Sequence, residues 1–196
     1  IGAMKPVPGA ALGAENEARP LTVCLVGMPN SGKTTLMNAL TGGSFHTANY
    51  PGVTVTLLSG RTRSSLGPPV TVVDLPGVHS SIDPSPEEAL SCRVIESQHP
   101  EVSADSFVLV VDATQLERHL KFAAFVARQG KPVMLALTMM DLLARTDQLV
   151  DVEALSLTLG VPVVAIDART NIGIPELMSA IRSVDTLEQG ASKLQN

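Results

Sequence analysis

The chain has 196 residues, enough for one domain in which a sheet is covered by helices on both faces. With 14 Lys and Arg against 19 Asp and Glu its formal net charge is −5, which argues against broad electrostatic capture of nucleic acid, and no basic stripe reverses this. Two cysteines, Cys24 and Cys92, show no metal-ligand spacing and read as small apolar fillers in a reducing compartment, and no apolar run approaches the roughly 18–20 residues that span a bilayer.

Residues 1–19 are rich in Ala, Gly and Pro without periodicity and are expected to form a disordered, tag-like leader, with Ile1-Gly2-Ala3-Met4 resembling a cloning remnant. Residues 21–26 read as a buried strand. The run Gly27-Met28-Pro29-Asn30-Ser31-Gly32-Lys33-Thr34 fits the pattern G-x-x-x-x-G-K-[ST], and a helical pattern starts at Thr35. Strand, glycine-rich loop and helix is the context in which that pattern works. Loop N–H groups at a helix N-terminus form a concave donor surface, and Lys33 adds a point charge for the outer phosphates of a nucleoside polyphosphate. A chance match would not bring the flanking strand and helix with it.

Asn49-Tyr50-Pro51-Gly52-Val53-Thr54-Val55 is rich in turn formers and runs into a predicted strand over 53–60. Thr54 either joins Thr34 as a Mg2+ ligand when triphosphate is bound, or is an ordinary solvent-facing strand threonine; Val53 beside it is a candidate nucleotide contact. A second strand over 70–73 ends at Asp74, and Gly67-Pro68-Pro69 between the two predicts an antiparallel hairpin. Asp74-Leu75-Pro76-Gly77 follows. Alone, D-x-x-G is a common turn. Behind a phosphate loop, its carboxylate can hold Mg2+ through water and the Gly77 N–H can meet a γ-phosphate, so the tetrapeptide can report whether that phosphate is present.

Helices are predicted over 86–98, 117–129, 152–159 and 175–187, with Pro86 and Pro175 suiting first turns and Gly130 and Gly160 suiting stops. They alternate with strands over 106–111, 133–137 and 161–166, which run out at Asp112, Thr138 and Asp167. Ligands of open α/β sheets bind beyond such strand ends. In Thr138-Met139-Met140-Asp141 the Asp141 carboxylate can accept from the N1 and N2 donors of guanine, which adenine lacks. One methionine of the pair is expected to pack inward. In Asp167-Ala168-Arg169 the Ala168 N–H can donate to guanine O6. His46, His79, His99 and His119 are scattered without metal-ligand spacing and are expected to face solvent; Glu117-Arg118 reads as a solvated face. The fold expected is α/β, a P-loop NTPase of the Ras-like G-domain kind. Its sheet is mostly parallel with one antiparallel edge hairpin, and helices cover both faces over residues 20–188, ahead of a tail at 189–196.

Taken together, GMPNSGKTTLMNALTG, NYPGVTV, VVDLPGVHS, VVDATQLERHL and ALTMMD resemble the G domain of the ferrous-iron transport protein B (FeoB) family over roughly residues 21–181. NYPGVTV and DATQLERHL separate that family from Era-like and Der-like ribosome-assembly GTPases, which share only the general motifs. The resemblance implies a GTPase that regulates ferrous-iron transport at the cytoplasmic face of the cell membrane. It implies GTP and GDP as ligands, and phosphates held by Lys33 and the amides of residues 27–35. It further implies Mg2+ on Thr34, Thr54 and Asp74, a γ-phosphate sensor at Gly77 and a guanine reader at Asp141. Asn30 matches the asparagine that helps potassium-activated relatives hold K+ beside the β- and γ-phosphates, where the cation takes the place of an arginine finger.

The resemblance has limits that carry expectations of their own. Val78 stands where Ras-like enzymes place a water-orienting Gln, which implies slow hydrolysis that depends on backbone groups and K+. Thr138 replaces the Asn of the usual N-x-x-D motif, which implies weaker base binding with guanine preference kept through Asp141. The family's helical and membrane permease domains do not follow within this sequence, so the chain reads as an excised or shortened G domain, soluble by itself and not inserted in a membrane. The permease is its expected partner, nucleic acid is not, and a weak oligomer is compatible with the sequence. The alternatives are a nucleotide-binding regulatory module without hydrolysis and a ribosome-assembly GTPase of the Era type. A P-loop kinase fits least, because no acceptor-binding lid is evident.

Overall fold

Along β1 (Thr22–Gly27) alternate side chains enter opposite faces of the sheet, Val23 and Leu25 one core and Cys24 and Val26 the other. Both faces are dry, as expected of a parallel strand covered on two sides. The computed structural model describes residues 20–49, 56–79, 82–100, 102–146 and 148–193. The expected sites at Val53 and Thr54 lie outside them.

The chain continues as α1 (Lys33–Thr41), β2 (Phe45–Asn49), β3 (Thr56–Arg61), β4 (Thr71–Asp74), α2 (Pro86–Ile95), β5 (Ser106–Asp112), α3 (Leu116–Ala127), β6 (Val133–Thr138), α4 (Met140–Ala144), α5 (Val152–Leu159), β7 (Val163–Ala165) and α6 (Ile174–Lys193). The seven strands are ordered β2-β3-β4-β1-β5-β6-β7. The pairs from β4 through β7 are parallel, and β3 is antiparallel to both of its neighbours. This is the expected mostly parallel sheet with its antiparallel hairpin, extended at the edge by β2, which the residue pattern did not predict.

One core lies under α1 and α6, where Leu36, Met37, Leu40, Leu177, Met178 and Ile181 meet Val72, Val108, Val110 and Met134. The other lies under α2 and α3, where Leu90, Ile95, Phe122 and Val126 meet Val73, Phe107, Leu109 and Leu135. Leu155 and Leu159 of α5 pack against this second core. Cys24 and Cys92 are buried and free, as fillers should be, and burial pushes the Cys24 thiol up to about 12.

Local signals set several element ends. Ser85 and Glu88 form a reciprocal capping box with Pro86 in the first turn of α2, Asp151 caps α5, and Gly160 ends it in a left-handed conformation. No helix among the described residues is long and apolar enough to cross a membrane. The parallel strands point their carboxyl ends to one edge of the sheet. Chain direction away from β1 reverses there, with β4 on one side and β5 on the other, which is the switch point where α/β sheets open a crevice.

Candidate nucleotide-binding site

The loop from Gly27 to Lys33 turns off the end of β1 and feeds α1 from its N-terminus. Its sharpness comes from left-handed residues at Asn30 (φ 62) and Gly32 (φ 96). Gly27 is needed for a different reason: a Cβ there would sit 2.5 Å from the Val110 carbonyl oxygen of β5. Lys33 is buried and its Nζ donates to the carbonyls of Met28 (3.0 Å) and Gly27 (3.4 Å), folding the ammonium back into the loop. Met28 and Ser31 are buried, Pro29 is half-buried, and Asn30, Thr34 and Thr35 are exposed.

The second strand end closes on this loop. Thr34 Oγ1 donates to Asp74 Oδ2 at 3.1 Å, while Asp74 Oδ1 is buried without a partner among the described residues. Burial raises the Asp74 carboxyl above its ordinary range, against the opposing pull of the Lys33 charge and the Thr34 hydrogen bond. Burial likewise lowers the Lys33 ammonium, opposed by Asp74. An ammonium and a carboxylate are thus held in a dry place next to a hydroxyl. A hydroxyl and a carboxylate with one oxygen unpartnered among the described residues are hard-oxygen donors of the kind suited to Mg2+. No cluster of three or more His, Cys, Asp or Glu among the described residues offers a second kind of metal site.

Beyond Asp74 the backbone rides on the phosphate loop. Val78 N donates to Gly27 O at 3.1 Å, and Ser91 of α2 holds the Pro76 carbonyl at 2.8 Å. The Val78 side chain is buried in the core, so it does not face the crevice. Glu88 then clasps the segment that follows. Its carboxylate accepts from His79 N at 2.6 Å and Ser85 N at 2.8 Å, and those backbone bonds hold it down to about 2. Because the folded value is depressed, the stabilisation is complete above the ordinary glutamate pKa and is lost as pH falls toward about 2. Glu88→Gln is therefore expected to lower Tm slightly at pH 7, on the order of 2 °C, with the difference from wild type shrinking below pH ~4.5 in a calorimetric pH series.

A cavity of about 360 Å3, open to solvent, adjoins the phosphate loop. Thr138, Met139, Met140, Asp141 and Leu142 from the end of β6 and from α4 line it, together with Ala165, Ile166, Asp167, Ala168, Arg169 and Ile172 from the end of β7. Met139 is left-handed (φ 59) and caps α4, which turns Asp141 into the first helical turn beside the cavity. Met140 packs against the core under α3, as one methionine of the pair was expected to do. The Asp167 loop is braced: Asp167 N donates to Ile172 O at 3.1 Å, and Asp167 Oδ1 accepts from Arg169 N at 2.9 Å. Hydrogen bonds from Thr170 and then Arg169 hold its carboxyl below the ordinary range. Arg63, just past β3, ties the same loop from outside through a 2.7 Å bond to Asn171.

Gly32 and Thr35 also line this cavity, so it shares a wall with the phosphate loop. Thr138 makes the join: its single hydroxyl proton is shared between two acceptors, Ser31 O at 2.7 Å and Val111 O at 3.1 Å from Oγ1. Of the expected site residues, Gly32, Thr35, Thr138, Met139, Asp141, Asp167, Ala168 and Arg169 meet around this cavity, while Thr34 and Asp74 meet beside the phosphate loop.

The histidine expectation is corrected in part. His46 and His79 are exposed, but His119 and His99 are buried. His99 Nδ1 accepts from Val102 N at 3.1 Å and so closes the turn before β5. His119 lies on α3, its Nδ1 without a partner among the described residues, and burial lowers its pKa against the opposing charge of Asp112. A pattern that places His119 three residues before Phe122 and seven before Val126 marks the helix's apolar face, and that is the sequence signal for its burial.

A family profile described as ferrous iron transport protein B matches residues 21–181. Among curated proteins, the Fe(2+) transporter FeoB of Salmonella typhimurium is 40% identical over 167 residues, which are 83% of this chain and 21% of the relative. The chain thus spans about a fifth of the length of the curated relatives it matches. Among solved structures, the G domain of the T. maritima FeoB iron transporter superposes with a TM-score of 0.75 at 33% identity, covering 84% of this chain and 98% of that one. The cytosolic domain of the same transporter in a GDP form superposes with a TM-score of 0.76 at 34% identity, covering 84% of this chain and 62% of that one.

Proposed function

The chain belongs to the ferrous iron transport protein B family, and on that footing we propose that it is the GTP-binding and GTP-hydrolysing switch domain of an Fe2+ transporter, acting at the cytoplasmic face of the cell membrane. The observation that carries this reading is the shared wall. Gly32 and Thr35 belong to the phosphate loop and also line the cavity of Asp141 and Ala168. One molecule with a purine in the cavity therefore lays its phosphates along the Lys33 loop.

In this reading the loop amides and Lys33 neutralise the phosphates, whose oxygens displace the Gly27 and Met28 carbonyls from the ammonium. Asp141 reads guanine N1 and N2, and the Ala168 N–H reads O6. Thr34 and Asp74 hold Mg2+, joined by Thr54 when triphosphate is bound. Bound Mg2+ supplies charge neutralisation between the phosphates. Asn30, exposed at the mouth of the loop, would hold K+, and the cation would supply positive charge for phosphoryl transfer. Hydrolysis is slow because buried Val78 offers no polar group to orient water, leaving the Gly77 N–H and loop positioning to do so. Coupling to transport runs through the permease domain of the full-length protein.

Titration calorimetry with GDP, a GTP analogue and ATP, alongside phosphate release in K+ and in Na+, tests the proposal. Binding of both guanine nucleotides without ATP, and turnover faster in K+, are expected. Equal affinity for ATP would sink the base assignment, and no turnover in either salt would leave a binding module without hydrolysis. A sharper probe of the metal is Asp74→Asn, which keeps an acceptor for Thr34 but removes the charge. It is expected to weaken Mg2+-dependent binding of the GTP analogue about tenfold or more while GDP binding in EDTA stays near wild type.

A further inference from the structure

We propose that this chain recognises guanine without reading N7, so that guanine nucleotides in which N7 is replaced by C–H are accepted as well as the natural ones. This deepens the functional reading above and rests on it.

The argument is a count of protons at Thr138. The residue is 6% exposed and its hydroxyl carries one hydrogen. Oγ1 has two carbonyl oxygens within reach, Ser31 O at 2.7 Å and Val111 O at 3.1 Å, and since neither can do anything but accept, the one hydrogen is engaged by them. What remains on Oγ1 toward the cavity is lone-pair density. Guanine N7 is itself an acceptor, so the two have no hydrogen bond to share. An amide side chain at this position has two protons and can both tie the loop and donate to N7. Threonine completes the first task and omits the second.

Rotating the hydroxyl toward the base does not recover the contact cheaply. Ser31 is 1% exposed, and the Thr138 bond to its carbonyl would be lost inside the protein. The Thr138 methyl is also committed, since it lies 3.5 Å from where a Cβ on Gly32 would sit, against the loop. The other readers are elsewhere on the base. Asp141 addresses the N1 and N2 edge and Ala168 addresses O6. Thr138 is therefore a specificity-determining residue through the proton it withholds.

The test is titration calorimetry of GDP, 7-deaza-GDP and ADP against wild type, Thr138→Asn and Thr138→Ser. Wild type is expected to bind GDP and 7-deaza-GDP with affinities within about twofold and to reject ADP. Thr138→Asn should bind GDP roughly five- to tenfold more tightly and lose that gain on 7-deaza-GDP, the size of one net hydrogen bond. Thr138→Ser keeps the hydroxyl donor on Ser31 and should remain indifferent to N7, which covers the case in which the larger Asn fails to fold. A tenfold loss on 7-deaza-GDP by wild type overturns the proposal, as does a Thr138→Asn domain that gains affinity for both nucleotides alike. A wild type that binds neither GDP nor 7-deaza-GDP overturns the functional reading itself, which is a different failure with a different signature.

Discussion

Asp141→Asn is expected to lower GDP affinity by at least about a hundredfold and to turn preference toward xanthine nucleotides. The carboxylate is acceptor-only and faces two guanine donors, N1–H and the N2 amine, in charge-assisted bonds that are roughly twice the strength of neutral ones. An asparagine amide keeps one acceptor and brings an NH2 up against the N2 amine, donor against donor. Xanthine carries a carbonyl at C2, so the same amide meets N1–H with its oxygen and O2 with its nitrogen. A site built to hydrogen-bond one pattern rejects its mismatch strongly because buried polar groups are left unpaired. The side chain suits the exchange, being exposed beside the cavity in the first turn of α4. Competition binding of GDP against XDP on both proteins reads the inversion. Unchanged GDP affinity in the variant would move the base out of this cavity.

The residues from which Asp141 could be picked out show how the candidate site could be read in the sequence. Its candidate groups sit at strand ends, and buried parallel strands such as 106–111 and 133–137 are mostly apolar runs that stop at a polar residue. The elements that escaped have no such signature. β2, with the sequence FHTAN, has neither alternation nor a β-branched run. It is a strand because β3 offers it an open edge, from Phe45 opposite Gly60 to Asn49 opposite Thr56. α4 has five residues, too few to display a helical period, and exists because Met139 adopts the left-handed conformation that starts it. The role of Thr138 was legible only as a substitution in the fourth motif. Which half of an asparagine's work the hydroxyl retains depends on where the Ser31 and Val111 carbonyls lie, and these come from the phosphate loop and from β5, far apart in the chain.

Gly77→Ala is expected to divide binding from switching in the opposite way: GDP affinity changes only a few-fold, while the response to triphosphate and hydrolysis fall by about a hundredfold or more. Gly77 is required for approach, not for an unusual backbone angle. A Cβ there would lie 2.7 Å from Pro29 N and 2.8 Å from Pro29 Cα, so the added methyl strikes backbone of the phosphate loop and not a side chain that could swing away. The loop cannot yield freely, because Gly27 is pressed against Val110 and its carbonyl is held by Val78 N at 3.1 Å. Nor can the Gly77 side retreat easily, with Pro76 O bonded to Ser91 and His79 N to Glu88. Overpacking of this kind costs about 1–3 kcal/mol and will appear as a lower Tm in the nucleotide-free domain. It is relieved by displacing residues 77–79 from the loop, which removes the Gly77 N–H from the place where a γ-phosphate would meet it. Neither Pro29 nor Gly77 lines the cavity of Asp141 and Ala168, so GDP binding there is expected to be affected least. The ratio of GTP-analogue to GDP affinity, measured by calorimetry with single-turnover hydrolysis, is the deciding quantity. If Gly77→Ala hydrolysed GTP at the wild-type rate, the close approach of these two backbones would be packing alone, and the sensor would have to be sought elsewhere on the sheet's carboxyl edge.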